Sequence, residues 1–221
     1  MSELLIELFS EEIPARMQVR AGDDLRKLVL DGLKAQGLAV SDARTFTTPR
    51  RLTLVVDGVP AGSAAVREEK KGPRVGAPEQ AIQGFLKGAG FKSLDEATLI
   101  KDEQKGDYYV AVIEKAGRPA AEIIAGVLSD TIMKFPWPKS MRWGVGTLLW
   151  VRPLHSILCL LGGRVVPFTV AGIERGDTTE GHRFLSPGRF AVKSFADYEA
   201  KLAKAHVLID AGAREIGRAH V

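Results

Sequence analysis

Cysteine is almost missing from this 221-residue sequence: Cys159 stands alone, inside Ile157-Leu-Cys-Leu-Leu161. One thiol excludes a disulfide framework and any cysteine-based metal site, and its apolar neighbours mark it as buried packing in a reducing, cytoplasmic setting. No run of about 18 apolar residues occurs, so no membrane span is expected. The N-terminus lacks a basic region followed by a long apolar stretch, and no signal peptide is expected. The histidines His155, His182, His206 and His220 show no HxxxH or HxxE spacing for zinc. No serine sits in a GxSxG elbow, and Cys159 has no basic neighbour to activate it. Gly72 and Gly76 are followed by no Lys-Ser or Lys-Thr, and GxGxxG spacing is missing, which argues against a nucleotide loop. Catalytic residues and metal ligands are therefore expected to be absent.

What is present is ordinary for a globular chain, 45% hydrophobic and 26% charged, with a net charge of +4 that permits an anionic partner. The charge is uneven. From Lys134 to Lys193 there are nine Lys/Arg against three Asp/Glu, giving +6 and leaving the remainder at −2. All three tryptophans lie in this stretch, each within two residues of a Lys or Arg: Phe135-Pro-Trp-Pro-Lys-Ser-Met-Arg-Trp-Gly144, then Trp150-Val-Arg-Pro-Leu-His155. Gly181-His-Arg-Phe184 and Gly188-Arg-Phe190 close it. Cations interleaved with aromatics suit an RNA surface, where charge tracks phosphates and flat groups stack on bases. They equally suit a core hairpin with rings inward and cations on a solvated face.

Read in order, Leu4-Leu-Ile-Glu-Leu-Phe9 predicts a buried strand. Ser10-Glu-Glu-Ile-Pro14 reads as a helix start, with Ser10 capping and Glu11 and Glu12 at the positive end of the dipole. The pair could also serve acid/base or metal chemistry, but capping explains it more simply. The helix runs to about Gln36, with Met17, Ala21, Leu25, Leu28, Val29 and Leu33 as its stripe and Gly37 as its stop. Arg50 and Arg51 fall on the turn before a strand at Leu52–Val56, their guanidiniums expected to be free of carboxylate partners; solvation and phosphate binding are both open to them. Residues 67–78, with two Pro and two Gly among charges, read as a loop. Helices follow from Pro78 to Gly88 and from Ala120 to Lys134, with a strand at Tyr108–Ile113 between them. Leu154–Leu161, Gly162-Gly163 and Val165–Val170 form a hairpin, Phe195–Ala205 a helix and Val207–Ile209 a strand. Leu5, Leu28, Leu54, Val110, Ile124, Leu158 and Cys159 are expected to be buried.

Six short motifs, in order along nearly the whole chain, resemble the β subunit of bacterial heterotetrameric glycyl-tRNA synthetase. Leu4-Leu-Ile-Glu-Leu with Ser10-Glu-Glu-Ile-Pro-Ala15 resembles the family's LLxEIGTEELPA, and Thr48-Pro-Arg-Arg-Leu52 its TPRRL. Glu69-Lys-Lys-Gly-Pro73 resembles E+KGP, and the Phe135–Gly144 stretch LPIPKxMRWG. Val151-Arg-Pro-Leu-His155 resembles VRPIH, and Gly181-His-Arg-Phe184 GHRF. The chain departs from the family in its first loop, where Phe9-Ser10 replaces Gly-Thr. It also departs in length, since family members continue into an HD-type helical region and an anticodon-binding domain. Its last seven residues, Glu215-Ile-Gly-Arg-Ala-His-Val221, resemble the translation of a sequencing-library adapter, so the native sequence is expected to end near Arg214.

The resemblance implies a part of a glycine–tRNA ligase that binds and orients tRNA(Gly) for glycylation. The implied partner is an α subunit, which holds the ATP, Mg²⁺ and glycine sites, with a second αβ pair completing a heterotetramer. This chain is expected to bind no cofactor and to lack catalysis of its own. The alternative is an architectural module that docks α and β without touching RNA. The expected fold is α+β, mixed sheets with packed helices: a βαβ-like unit over 1–60, a loop and short helix over 61–94, a mixed tRNA-contacting region over 95–214 and a non-native tail over 215–221. The expected tRNA-binding residues are Arg50, Arg51, Lys139, Arg142, Arg152, His182 and Arg183, the last five converging on one face.

Overall fold

The structure, a computed structural model, describes residues 1–100 and 107–218. In chain order the elements are β1 (Ser2–Ser10), α1 (Ala15–Ala35), β2 (Asp42–Thr48), β3 (Arg51–Val59), β4 (Val66–Arg74), α2 (Glu79–Ala89), β5 (Thr98–Ile100), β6 (Tyr108–Lys115) and α3 (Ala120–Met133). Then come β7 (Leu154–Leu161), β8 (Arg164–Val165), β9 (Thr169–Val170), β10 (Ile173–Gly176), β11 (Thr178–Glu180), β12 (Arg189–Ala191), α4 (Phe195–Lys204) and α5 (Ala211–Arg218). The fold is α+β.

The chain forms two compact units, one of residues 1–63 with 119–221 and one of residues 64–118. The boundaries expected at 60 and 95 are corrected accordingly, and the two ends of the chain belong to one unit because β1 lies between β3 and β7. Among the described residues, this unit holds a seven-stranded sheet ordered β2-β3-β1-β7-β10-β9, with β8 paired to β7. β1 runs antiparallel to both neighbours, Ile6 facing Leu54 on one side and Cys159 on the other. The strand read at Leu52–Val56 is therefore antiparallel to β1 and does not close a βαβ unit with it. The parallel strand is β2, which is antiparallel to β3 and so parallel to β1 across it. β1-α1-β2 is thus a split βαβ unit.

β1 has continuous apolar sequence because helices cover both sides of it. Leu4, Ile6 and Leu8 pack with α1 and α3, while Leu5 packs with Val55, Leu158, Tyr198 and Leu202 on the α4 side. The helix α1 contributes Leu25, Val29 and Leu33, all fully buried, each favouring the fold by about 1.5–3 kcal/mol. Leu28, expected in this stripe, is 36% exposed. The buried residues Met17, Ala21, Leu25, Val29 and Leu33 recur every fourth position. At 3.6 residues per turn such a stripe rotates by about 40° per step, and by Val29 it has left Leu28 behind. The other six residues expected to be buried are so, at 5% exposure or less.

Three local readings are corrected. The helix starts at Ala15 behind Pro14, with no side-chain cap; Ser10 ends β1 and donates its hydroxyl to the Glu11 carbonyl. Pro14 itself occupies the N-cap position, with no side-chain cap and no acidic residue in the first turn, which leaves Glu11 free for another role. Residues 67–78, read as a loop, contain most of β4, which pairs with β6; the register shifts between Lys71 and Arg74, where Pro73 sits. β4 is an edge strand of the order β4-β6-β5, where a bulge accommodates proline. Residues 207–210 form no strand. The hairpin turn is as expected: Gly162 and Gly163 both have positive φ, at 56° and 78°, the requirement of a tight two-residue turn.

Candidate functional site

β1 and the residues just after it carry two glutamates of the site, Glu7 buried in the strand and Glu11 at the surface beyond its end. Glu7 is fully buried on the α4 side of the sheet. Its carboxylate accepts hydrogen bonds from Arg51 Nε at 3.0 Å, Thr179 Oγ1 at 2.7 and 2.9 Å, and the Tyr198 hydroxyl at 2.6 Å. Tyr198 also shares a 2.9 Å hydrogen bond with Thr53. Burial and the Glu7 charge push the Tyr198 phenol well above its ordinary value, so it stays a donor. Arg51 donates through Nη2 to the Glu180 carbonyl. Thus β1, β3, β11 and α4 are joined through one satisfied carboxylate, the condition under which a buried charge is tolerated. The expectation of a free Arg51 is corrected: its guanidinium is 4% exposed and ion-paired. At the start of β3 Arg51 pairs with Phe9, and its side chain reaches diagonally to Glu7 on the α4 side of the sheet.

Glu11 stands four residues on, past the strand end. Its Oε1 lies 2.9 Å from His155 Nε2 and its Oε2 accepts from Arg183 Nη2 at 2.8 Å. The hydrogen bond with His155, then the Arg50 and Arg183 charges, hold its carboxyl below the ordinary range. Arg50 is half-buried; its Nε donates to the Ser10 carbonyl at 3.3 Å and its guanidinium lies 4.5 Å from the Phe9 ring centroid. No ion-pair partner meets it among the described residues. Burial, then repulsion from Arg183, lowers its pKa, so two cations sit close together at the surface.

Beside this pair opens a cleft of about 320 Å³. Arg50, His182, Arg183, Phe184, His206 and Arg214 give it its character, with Glu12 on its rim. The Gly181–Ser186 turn that forms one wall is fixed internally. His182 Nδ1 accepts from the amides of Phe184 and Leu185 at 3.3 and 3.2 Å, which places the neutral ring's proton on Nε2. Gly181 is required there, since a Cβ would sit 2.7 Å from both Ala205 Cβ and the Ser186 carbonyl. The turn holds Phe184 out at 80% exposure. His206 ends α4 in a left-handed cap, with φ 60°, its amide donating to the Ala203 carbonyl and the Val207 amide to the Leu202 carbonyl, which places it on the cleft wall. Arg214 is tied to the carbonyls of Leu208, Ile209 and Thr47.

The five cations expected on one face fall into groups. His182 and Arg183 line this cleft. Lys139 and Arg152 line another, with Pro14, Arg16 and Met17, on the other flank of the Glu11–Pro14 loop. Arg142 is exposed and lines neither. The tryptophans belong to the core: Trp150 is fully buried, and its ring centroid is 5.0 Å from both Phe135 and Trp137. The solvated aromatic of the basic stretch is Phe184. Sequence reasoning passed over Glu11 as a partner of His155 and Arg183, and over Arg16, Phe184 and His206. The GHRF motif was a signal for Phe184; nothing local marked His206.

Among the described residues, no group of three His, Cys, Asp or Glu side chains is placed to hold a metal ion, and no helix is long and apolar enough to cross a membrane. Burial pushes the Cys159 thiol far up, which makes it inert. The arrangement offers fixed cations, an exposed ring and a shaped cleft: means to bind an anion bearing flat groups.

Comparison with known proteins places the family. The family model described as glycyl-tRNA synthetase beta subunit matches residues 4–217. The chain is 61% identical to the glycine–tRNA ligase beta subunit of Ruegeria sp. (strain TM1040), with 97% of this chain aligned to 32% of that protein. It is 59% identical to that of Dinoroseobacter shibae, covering 97% of this chain and 30% of that protein. For Rhodospirillum centenum the identity is 50%, over 95% of this chain and 33% of that protein. The chain spans about a third of the length of the curated relatives it matches. With the family model covering nearly every residue, the chain belongs to the glycyl-tRNA synthetase beta subunit family.

Proposed function

We propose that this chain is the N-terminal part of the β subunit of a glycine–tRNA ligase, and that it binds and orients tRNA(Gly) for ATP-dependent glycylation at an α-subunit active site. In this reading the partners are an α subunit, tRNA(Gly) and a second αβ pair, in the cytoplasm; ATP and Mg²⁺ act through α, and this part contributes no catalytic residue. The observation that carries it is the cleft where Arg50 and Arg183 lie close together beside the exposed Phe184. Charge supplies phosphate affinity, and fixed orientation of a substrate lowers a bimolecular barrier. Lys139 and Arg152 extend the basic surface past the Glu11–Pro14 loop. Arg51 also lines the cleft, but its guanidinium is taken up by Glu7 and the Glu180 carbonyl, so its part is to hold the site together.

The second reading, docking of α to β without RNA contact, is favoured by exposed Met141, Val145 and Leu149, a patch suited to a protein interface. A salt titration of tRNA(Gly) binding separates the two. Phosphate contacts make the affinity fall steeply with salt; a protein-docking module leaves it weak and its slope shallow. Adding the chain to purified α subunit and measuring glycylation of tRNA(Gly) then tests the contribution to aminoacylation.

A further inference from the structure

We propose that the cleft beside Phe184 seats a single unpaired RNA nucleotide, its base stacked on the Phe184 ring and its phosphate held by Arg50 and Arg183. This rests on the tRNA-binding reading and narrows it, from RNA in general to a single-stranded segment or end. Three observations point the same way. At about 320 Å³ the cleft lies at the small end of ligand sites, which start at ~300 Å³; one nucleotide fills it and the body of a duplex does not enter. Its cations converge on one place, whereas an A-form helix is gripped through phosphates spread along its grooves.

The third observation is the ring. Phe184 is 80% exposed and Leu185 beside it 65%, so neither stabilises the fold by burial. Yet the turn that presents them is pinned: the His182 amide donates to the Ala205 carbonyl at 2.9 Å, the Ser186 amide donates to the His182 carbonyl at 3.0 Å, and the His182 ring accepts two further amides. A rigid, solvated π-face loses little entropy on meeting a base, and any base offers it a partner. Inside a duplex, base faces are occupied by one another, and the ring has nothing to stack on except at an end. Glu11 holds Arg183 at 2.8 Å, so an entering phosphate takes over a cation already in position.

The test uses the full chain with three probes at fixed salt: a short single-stranded RNA, a blunt RNA duplex of equal length, and tRNA(Gly). Phe184→Ala is expected to weaken the single strand and tRNA(Gly) about 5- to 150-fold, the range that corresponds to loss of one base–aromatic stack, while the slope of affinity against salt stays the same. Phe184→Tyr, which keeps the ring, is expected to bind as the parent does. The duplex is expected to bind more weakly and to be indifferent to Phe184→Ala. Duplex binding as tight as the single strand, or tRNA(Gly) binding that is salt-dependent yet unchanged in Phe184→Ala, overturns the inference and leaves the tRNA-binding reading standing. Absence of tRNA binding at low salt removes both. Loss of α-subunit binding in Phe184→Ala with RNA binding intact assigns the ring to a protein partner and overturns the inference. Thermal melting of both variants guards against misfolding, and at an 80% exposed side chain no change is expected.

Discussion

Glu7 and Glu11 lead the same chain segment out of the same sheet, and each holds an arginine, yet they belong to different regimes. Glu7 is 0% exposed and meets Arg51, Thr179 and Tyr198 with every partner fixed. Glu11 is 37% exposed and meets His155 and Arg183 where water competes. In the first, the low dielectric makes an unpaired charge costly, so the network binds strand to strand and leaves nothing for a ligand. In the second, the pairing is weak enough for an anion to displace. The adjacent residues Arg50 and Arg51 divide between these regimes: one cation belongs to the cleft, the other to the fold.

The largest expected effect comes from breaking the buried side. Arg51→Ala leaves Glu7 without its counter-ion and is expected to destabilise the larger unit by about 3–5 kcal/mol, read by denaturant or thermal melting. A variant that melts with the parent contradicts the burial of this pair. Tyr198→Phe removes one donor from Glu7 and the partner of Thr53. It is expected to cost about 1–3 kcal/mol and to leave the salt slope of tRNA binding unchanged; a changed slope would carry the buried network into the RNA site.

Arg50→Ala reverses the pattern. Its guanidinium has no ion-pair partner among the described residues and loses only its contact with Phe9 and a backbone carbonyl, so about 1 kcal/mol is expected, with a shallower salt slope. The smallest effect is the pH dependence at Glu11. Its carboxyl is held below the ordinary value of 4.5, chiefly by His155. A lowered folded-state pKa gives stability that is present above 4.5 and lost as pH falls through the folded value. Glu11→Gln is expected to flatten that acid limb slightly and, by releasing Arg183, to tighten anion binding at neutral pH. An unchanged acid limb would show that the pair does not form in solution.

Much of the fold was legible from the sequence. Leu4–Phe9, the stripe of α1 apart from Leu28, the Gly162-Gly163 turn and the helix α4 follow from patterns that local physics decides. What was not legible depends on distant partners. β4 is a strand because β6 pairs with it, although its charges and Pro73 argue otherwise. Arg51 reads like Arg50 until its partner Glu7 is seen, 44 residues away. The cleft was half legible: GHRF and the Arg pair flag cations and a ring, but His206 arrives through the end of α4. The tryptophan-rich stretch misleads in the other direction. Its rings pack into or against the core around Trp150, while its cations reach water.

The division between fold and cleft is tested most directly by the salt dependence of tRNA(Gly) binding in the double variant Arg50→Ala, Arg183→Ala. Two lost phosphate contacts are expected to make the slope of log affinity against log salt shallower by about 1.4–1.8, with stability lowered by no more than the ~1 kcal/mol expected of Arg50→Ala alone. An unchanged slope would contradict the account. So would a loss equalled by the Lys139→Ala, Arg152→Ala pair while the Arg50 and Arg183 changes have no effect, which would move the RNA to the other flank of the Glu11–Pro14 loop.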